Sequence, residues 1–235
     1  TDVLCNGDNS GAADLTINDG TPPYSFSWSN GETTEDVANL SGGSHTVVVI
    51  DANGCLVVAN VTLSEPLPLD AEIVLSEPLC NGAADGDATV TASGGTAPYN
   101  YSWSTGGTGA NISTLGVGTY TVTVTDDNGC TFMASADMTE PPMLDIAITS
   151  VDVTCIGGSN GIAIAAVNGG TTPYSFSWDS NPPVADAVAQ NLEPGTYTVT
   201  VIDDNGCTGA GVAIVSEPVT QPEECLSVGG NGLVI

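Results

Sequence analysis

One aromatic motif recurs along this chain at a fixed interval. Pro23-Tyr24-Ser25-Phe26-Ser27-Trp28-Ser29 returns as Pro98-Tyr99-Asn100-Tyr101-Ser102-Trp103-Ser104 and as Pro173-Tyr174-Ser175-Phe176-Ser177-Trp178-Asp179. The three tryptophans are the only ones present, and each is 75 residues from the next. A rare residue spent at a constant period marks an array of similar small units, each folding much as its neighbour does. Within the motif, aromatic and small polar residues alternate, the pattern of a strand with one buried and one wet face. A turn rich in Gly, Thr and Pro precedes each copy and fixes where the strand begins.

Other landmarks keep the same spacing. Each unit opens on a cysteine with a glycine turn: Cys5-Asn6-Gly7, Cys80-Asn81-Gly82 and Cys155-Ile156-Gly157. An alternating strand follows, then the aromatic strand, then a leucine–glycine turn beginning at Leu40, Leu115 or Leu192. The most regular strand comes next (His45–Asp51, Tyr120–Asp126, Tyr197–Asp203) and leads into Asn-Gly-Cys at Cys55, Cys130 and Cys207. Asn-Gly is the strongest short hairpin signal, because both residues accept positive φ. The return strand stops at Glu65-Pro66, Glu140-Pro141 or Glu217-Pro218, and one more apolar strand precedes the next cysteine.

Each unit therefore has six or seven short strands, the number an immunoglobulin-like sandwich needs. The fold class expected is all-β: tandem immunoglobulin-like repeats at 1–66, 67–141 and 142–218, strung as a rod, with 219–235 as the start of a fourth unit or an exchanged strand. The first unit lacks the opening strand, so the chain reads as a window on a longer array or as a subunit whose ends complete a neighbour. Pro66-Leu67-Pro68 and Pro141-Pro142 restrict the connections, since proline fixes its own φ and biases the residue before it.

Charge narrows the possible partners. The chain has 28 acidic residues, no Lys or Arg, and a formal net charge of -28. Nothing can neutralise phosphates, which excludes nucleic acid as a partner. No run is long enough for a membrane-spanning helix, so no direct insertion is expected. With no Lys or Arg to pair, burial, backbone hydrogen bonds and disulfides must hold the fold, and trypsin has no site.

Seven cysteines allow two pairings that respect the period. Within-unit bridges (Cys5–Cys55, Cys80–Cys130, Cys155–Cys207) leave Cys225 over; offset bridges (Cys55–Cys80, Cys130–Cys155, Cys207–Cys225) leave Cys5. The first is preferred, because a small module with a thin core gains most from its own staple. Persistent disulfides place the protein outside the cytosol. No Cys-x-x-Cys occurs and there is one histidine, so a zinc site is not expected.

No catalytic residues emerge. His45 takes the strand position held by Tyr120 and Tyr197, and reads as an aromatic strand opener. The acidic hairpins are the candidate metal ligands: Asp126, Asp127 and Asn128, and Asp203, Asp204 and Asn205, with Asp51-Ala52-Asn53 as a weaker copy. Hard oxygen ligands on one loop suit calcium; the competing role is an aspartate capping its own turn. Asn39, Asn60 and Asn111 each begin an Asn-x-Ser/Thr glycosylation triplet.

The ordered string Cys-Asn-Gly, Gly-Gly-Thr-x-Pro-Tyr-x-(Phe/Tyr)-x-Trp-Ser, Leu-x-x-Gly-x-Tyr-x-Val-x-Val-x-Asp-x-Asn-Gly-Cys and Glu-Pro resembles the SprB repeat from Cys5 to Pro218. That repeat occurs in very large surface proteins of Bacteroidetes, including gliding-motility adhesins exported by type IX secretion. The resemblance implies an extracellular, non-enzymatic stalk of an adhesin or filament. Expected partners are neighbouring repeats or copies of the same chain, with surface polysaccharide or another surface protein as further candidates. Two other readings are kept: a filament subunit joined by strand exchange, and a carbohydrate- or protein-binding module.

Overall fold

The computed structural model describes residues 1–225. The first repeat holds β1 (Gly11–Ala13), β2 (Ser25–Trp28), β3 (Val37–Leu40), β4 (Gly43–Ile50) and β5 (Leu56–Leu63). The second holds β6 (Asp70–Ser76), β7 (Gly86–Ser93), β8 (Asn100–Trp103), β9 (Asn111–Leu115), β10 (Gly118–Thr125) and β11 (Thr131–Met138). The third holds β12 (Asp145–Val151), β13 (Gly161–Asn168), β14 (Ser175–Trp178), β15 (Val188–Leu192), β16 (Gly195–Ile202) and β17 (Thr208–Val215). A single 3-10 turn, Glu223–Cys225, closes the described residues. The start of a fourth unit read at 219–235 lies outside them from 226 onward.

The second and third repeats are each built from two three-stranded antiparallel sheets, ordered β6-β7-β9 and β11-β10-β8, then β12-β13-β15 and β14-β16-β17. Numbered as strands A, B, C, E, F and G, these are the A-B-E and C-F-G sheets of an immunoglobulin-like sandwich without strand D. Tyr197, at the head of the F-equivalent strand, donates its hydroxyl to Glu193 O at 2.8 Å, the bond that marks the turn between the two sheets. His45 makes the same bond in the first repeat, Nε2 to Ser41 O at 2.9 Å, and so does the structural work of the tyrosine.

Alternation decides the core. Trp28, Trp103 and Trp178 are all buried, and Val47/Val49, Val122/Val124 and Val199/Val201 lie beside them on the longest strands. In the third repeat these pack with Ala163 and Ala165 of β13, Ala189 and Leu192 of β15, and Ala213 and Val215 of β17. Each indole Nε1 donates to a main-chain carbonyl of the variable stretch: Thr34 O at 2.9 Å, Gly109 O at 2.9 Å and Asp186 O at 3.0 Å. The tryptophan thus fills the core and pins the least regular segment with its one polar atom.

The first repeat differs in its first described strand. β7 and β13 run eight residues between two partners, whereas β1 runs three and pairs with β3 alone. Leu15, Ile17, Tyr24, Val49 and Val57 line an open groove of about 440 Å³ there. A bulge at Asn39, and its equivalent at Asn191, carries positive φ (59° and 58°), a conformation asparagine tolerates well.

Contacts divide the chain into two compact units. One holds the first repeat and the body of the second (1–76, 87–113 and 118–138); the other holds the second repeat's opening loop (77–86), residues 114–117 and the chain from Thr139 onward.

Candidate functional site at the joints between repeats

Each Cys-x-Gly opening turn is held by the Glu-Pro that ends its own repeat. Glu65 Oε2 accepts from Gly7 N at 3.0 Å, and Asn6 Nδ2 donates to Pro66 O at 3.0 Å. In the second repeat Glu140 Oε2 accepts from Gly82 N at 2.6 Å, while Asn81 Nδ2 reaches Glu140 Oε1 and Pro141 O. In the third, Glu217 Oε2 accepts from Gly157 N at 3.0 Å. Glu-Pro therefore anchors a turn some 60 residues earlier, as well as ending a strand. Ile156 stands where the other turns have asparagine, and its N–H donates instead to Gln221 Oε1 at 2.9 Å.

The anchored turn presents its cysteine to the Asn-Gly hairpin of the next repeat. Cys5 is bonded to Cys130, with Cα atoms 5.7 Å apart, and Cys80 to Cys207, 5.6 Å apart. Beside each bridge the hairpin asparagine reaches back to the carbonyl before the opening cysteine: Asn128 Nδ2 to Leu4 O at 2.9 Å, and Asn205 Nδ2 to Leu79 O at 3.0 Å. The same two amides also hold Thr96 Oγ1 and Thr171 Oγ1 within their own repeats. Cys155 is bonded to Cys225 of the 3-10 turn, and Cys55 is free and exposed. Each bridge lies inside one compact unit.

This corrects the expected within-unit bridges Cys5–Cys55, Cys80–Cys130 and Cys155–Cys207, and the offset set as well. The opening turn is tied to Glu65, next to the Gly43↔Leu63 end of the β4–β5 ladder, while Cys55 follows the Ile50↔Leu56 end. Eight paired residues at about 3.4 Å each put the two cysteines of one repeat at opposite poles, on the order of 24 Å apart. The two cysteines of one repeat cannot reach each other; the opening cysteine meets the next repeat's hairpin at Cys5 and Cys80, and the 3-10 turn at Cys155.

The first aspartate of each acidic hairpin ties the hairpin together. Asp126 Oδ1 accepts from the N–H groups of Asn128 (3.0 Å) and Cys130 (2.8 Å), and Oδ2 from Thr96 N (2.8 Å). Asp203 does the same with Asn205, Cys207 and Thr171, and Asp51 with Asn53, Cys55 and Thr21. One carboxylate thus ties the hairpin that carries the cysteine to the turn before the aromatic strand. Asp126 and Asp203 are buried, whereas the side chains of Asp127 and Asp204 are exposed. Among the described residues no three His, Cys, Asp or Glu side chains gather as a metal-ion cluster.

The Thr171 N–H, first, and the hairpin N–H groups hold the Asp203 carboxyl below the ordinary 3.8, against the opposing pull of desolvation. Asp51 is lowered in the same way, chiefly by the Cys55 N–H. A lowered folded value adds stability above the unfolded pKa and loses it as pH falls through the folded one. Thermal melts are therefore expected to hold steady near neutrality and to drop below about pH 4. Asp203→Asn is expected to lower the melting temperature at pH 7 and to flatten the acid limb. An unchanged acid limb would remove Asp203 from this role.

Close packing also explains the Gly-Gly of the second and third repeats. Gly95 N donates to Leu67 O and Gly170 N to Pro142 O, so the incoming connection is hydrogen-bonded across this turn. A Cβ on Gly94 would sit 1.8 Å from Pro68 O, and one on Gly169 2.0 Å from Met143 O. The first repeat has Asp19 at the corresponding place.

A profile of the SprB repeat matches residues 1–33, 73–108 and 147–183. No curated protein matches the chain in sequence. Among solved structures, the eight N-terminal Ig domains of Down Syndrome Cell Adhesion Molecule align at 16% identity and a TM-score of 0.37, covering 90% of this chain and 34% of that one. The amphioxus IgVJ-C2 molecule aligns at 18% and 0.28, covering 56% and 97%. The chain thus spans about a third of the first and nearly all of the second. Strand order alone makes the second and third repeats immunoglobulin-like. Among the described residues no helix is long and apolar enough to cross a membrane. Three segments of the chain, each running from a cysteine turn to the buried tryptophan, thus match the SprB repeat, and with the immunoglobulin-like strand order and the disulfides they support an extracellular, adhesin-type surface protein.

Proposed function

We propose that the chain is a tension-bearing segment of the stalk of a bacterial surface adhesin, with a mechanical role in place of a catalytic one. The observation that carries this reading is the repeated joint. The same three elements (a Glu-Pro-anchored turn, a disulfide and an Asn–carbonyl bond) connect the first repeat to the second and the second to the third. Covalent coupling of successive modules suits a part that transmits load, and the acidic surface keeps such a part soluble and apart from anionic polymers. Type IX export and a role in gliding belong to this proposal through the repeat family.

Disulfide mapping tests it. Cleavage before aspartate without reduction is expected to give peptide 2–7 joined to 127–136, peptide 70–84 joined to the peptide carrying Cys207, and peptide 51–69 free. Finding 2–7 joined to 51–69 would show self-stapled modules and remove the basis for a coupled stalk.

A further inference from the structure

The bridges between repeats are the ones that loop length favours least. Cys5–Cys130 and Cys80–Cys207 close loops of 125 and 127 residues, whereas Cys55 and Cys80, or Cys130 and Cys155, stand only 25 residues apart. The probability of closing a loop falls as about the 3/2 power of its length, so an unfolded chain forms the near pairs roughly tenfold more readily. The fold must override that preference.

The tie on the opening turn is placed to do so. Glu140 meets the Cys80-Asn81-Gly82 turn with both carboxylate oxygens: Oε2 accepts from Gly82 N at 2.6 Å and Oε1 from Asn81 Nδ2 at 2.9 Å. Pro141 O accepts from the same amide at 3.1 Å. Thr139 Oγ1 donates to Glu77 Oε1 at 2.6 Å, three residues before the cysteine. Three consecutive residues after β11 thereby hold the turn on both sides of Cys80. The carboxylate–glycine bond recurs at Glu65 and Gly7, where it sets Cys5 at the pole away from Cys55.

We propose that Glu140 is a positioning residue for disulfide formation: through Gly82 and Asn81 it aims Cys80 at the third repeat's Asn-Gly-Cys hairpin, and so selects Cys207 over cysteines nearer in sequence. The oxidant is a small-molecule disulfide. One cysteine thiolate attacks it and expels a small thiolate; the second cysteine thiolate then attacks the mixed disulfide and expels the other. Two protein thiols are oxidised, one small disulfide is reduced to two thiols, and the two cysteine protons end on those thiols. Glu140 exchanges nothing in either step; it limits which thiol Cys80 can meet.

The test refolds the full chain from its reduced, unfolded state in oxidised and reduced glutathione, with alkylation to stop exchange and cleavage before aspartate. Wild type is expected to give peptide 70–84 joined to the peptide carrying Cys207 as the main product of Cys80. In Glu140→Ala the ratio of that product to 70–84 joined to 51–69 is expected to fall roughly tenfold, toward the value that loop length sets. Glu140→Gln keeps an acceptor for Gly82 N and is expected to stay within about twofold of wild type. Val124→Ala removes buried core volume from the second repeat and none of these hydrogen bonds, and is expected to slow bridging at an unchanged ratio. An unchanged ratio in Glu140→Ala, an equal fall in Val124→Ala, or Glu140→Gln matching Glu140→Ala would overturn the proposal. The inference goes beyond the stalk reading, which the wild-type map tests by itself, so the two can fail separately.

Discussion

Pulled from its two ends with disulfides intact, the polypeptide is expected to stop extending at about 150 Å, against about 800 Å once reduced, at ~3.5 Å per residue. The short limit follows from the bridges. The tightest covalent route enters at the N-terminus, crosses from Cys5 to Cys130, follows the chain to Cys155 and crosses again to Cys225. Only about 40 residues lie on that route, counted at the same per-residue reach, so unfolding the repeats cannot carry the ends past that limit. Bridges confined to single repeats would put every linker on the path and allow about 300 Å. Single-molecule stretching in oxidising and then reducing buffer separates the cases, and an oxidised limit near the longer value would contradict the joints.

Trp178→Ala is expected to cost about 3–5 kcal/mol, a large share of what one small module possesses. The side chain is 1% exposed, at the centre of the third repeat's core, among Val199, Val201, Ala163 and Ala189. Removing it leaves a cavity between two sheets too thin to collapse over it, and orphans Asp186 O. Trp178→Phe keeps most of the volume and loses the hydrogen bond, so its expected cost is about 1–3 kcal/mol. Denaturant melts monitored on the third repeat measure both, and equal costs would place the tryptophan's importance in its N–H and not in its bulk.

These effects also show which parts of the molecule were legible from the chain. Strands and core follow from local rules: alternation puts Trp, Val and Leu inside, Asn-Gly closes the hairpin, and the period repeats the result. Strand β15, Val-Ala-Gln-Asn-Leu, has only a weak local preference for a strand and forms through its pairing with β13. The joints were not legible in the same way. Cysteine spacing is equally compatible with bridges inside a repeat and between repeats, since a period preserves both. Only the knowledge that Glu65 holds the Cys5 turn at the pole opposite Cys55 decides between them. That tie spans nearly 60 residues and leaves no local signature. The hydrogen bonds of the acidic hairpins were not legible for a related reason: a carboxylate placed to accept three N–H bonds has the same sequence as one placed to bind a cation.

The loops closed by Cys5–Cys130, Cys80–Cys207 and Cys155–Cys225 overlap in sequence, each beginning before the previous one ends. Any single cut of the backbone between residues 5 and 225 therefore falls within at least one loop, and the pieces remain one covalent molecule. An array built this way fails like a braided rope, not like a chain of links: a protease that nicks an exposed turn weakens one strand of connectivity, and any load passes to the other.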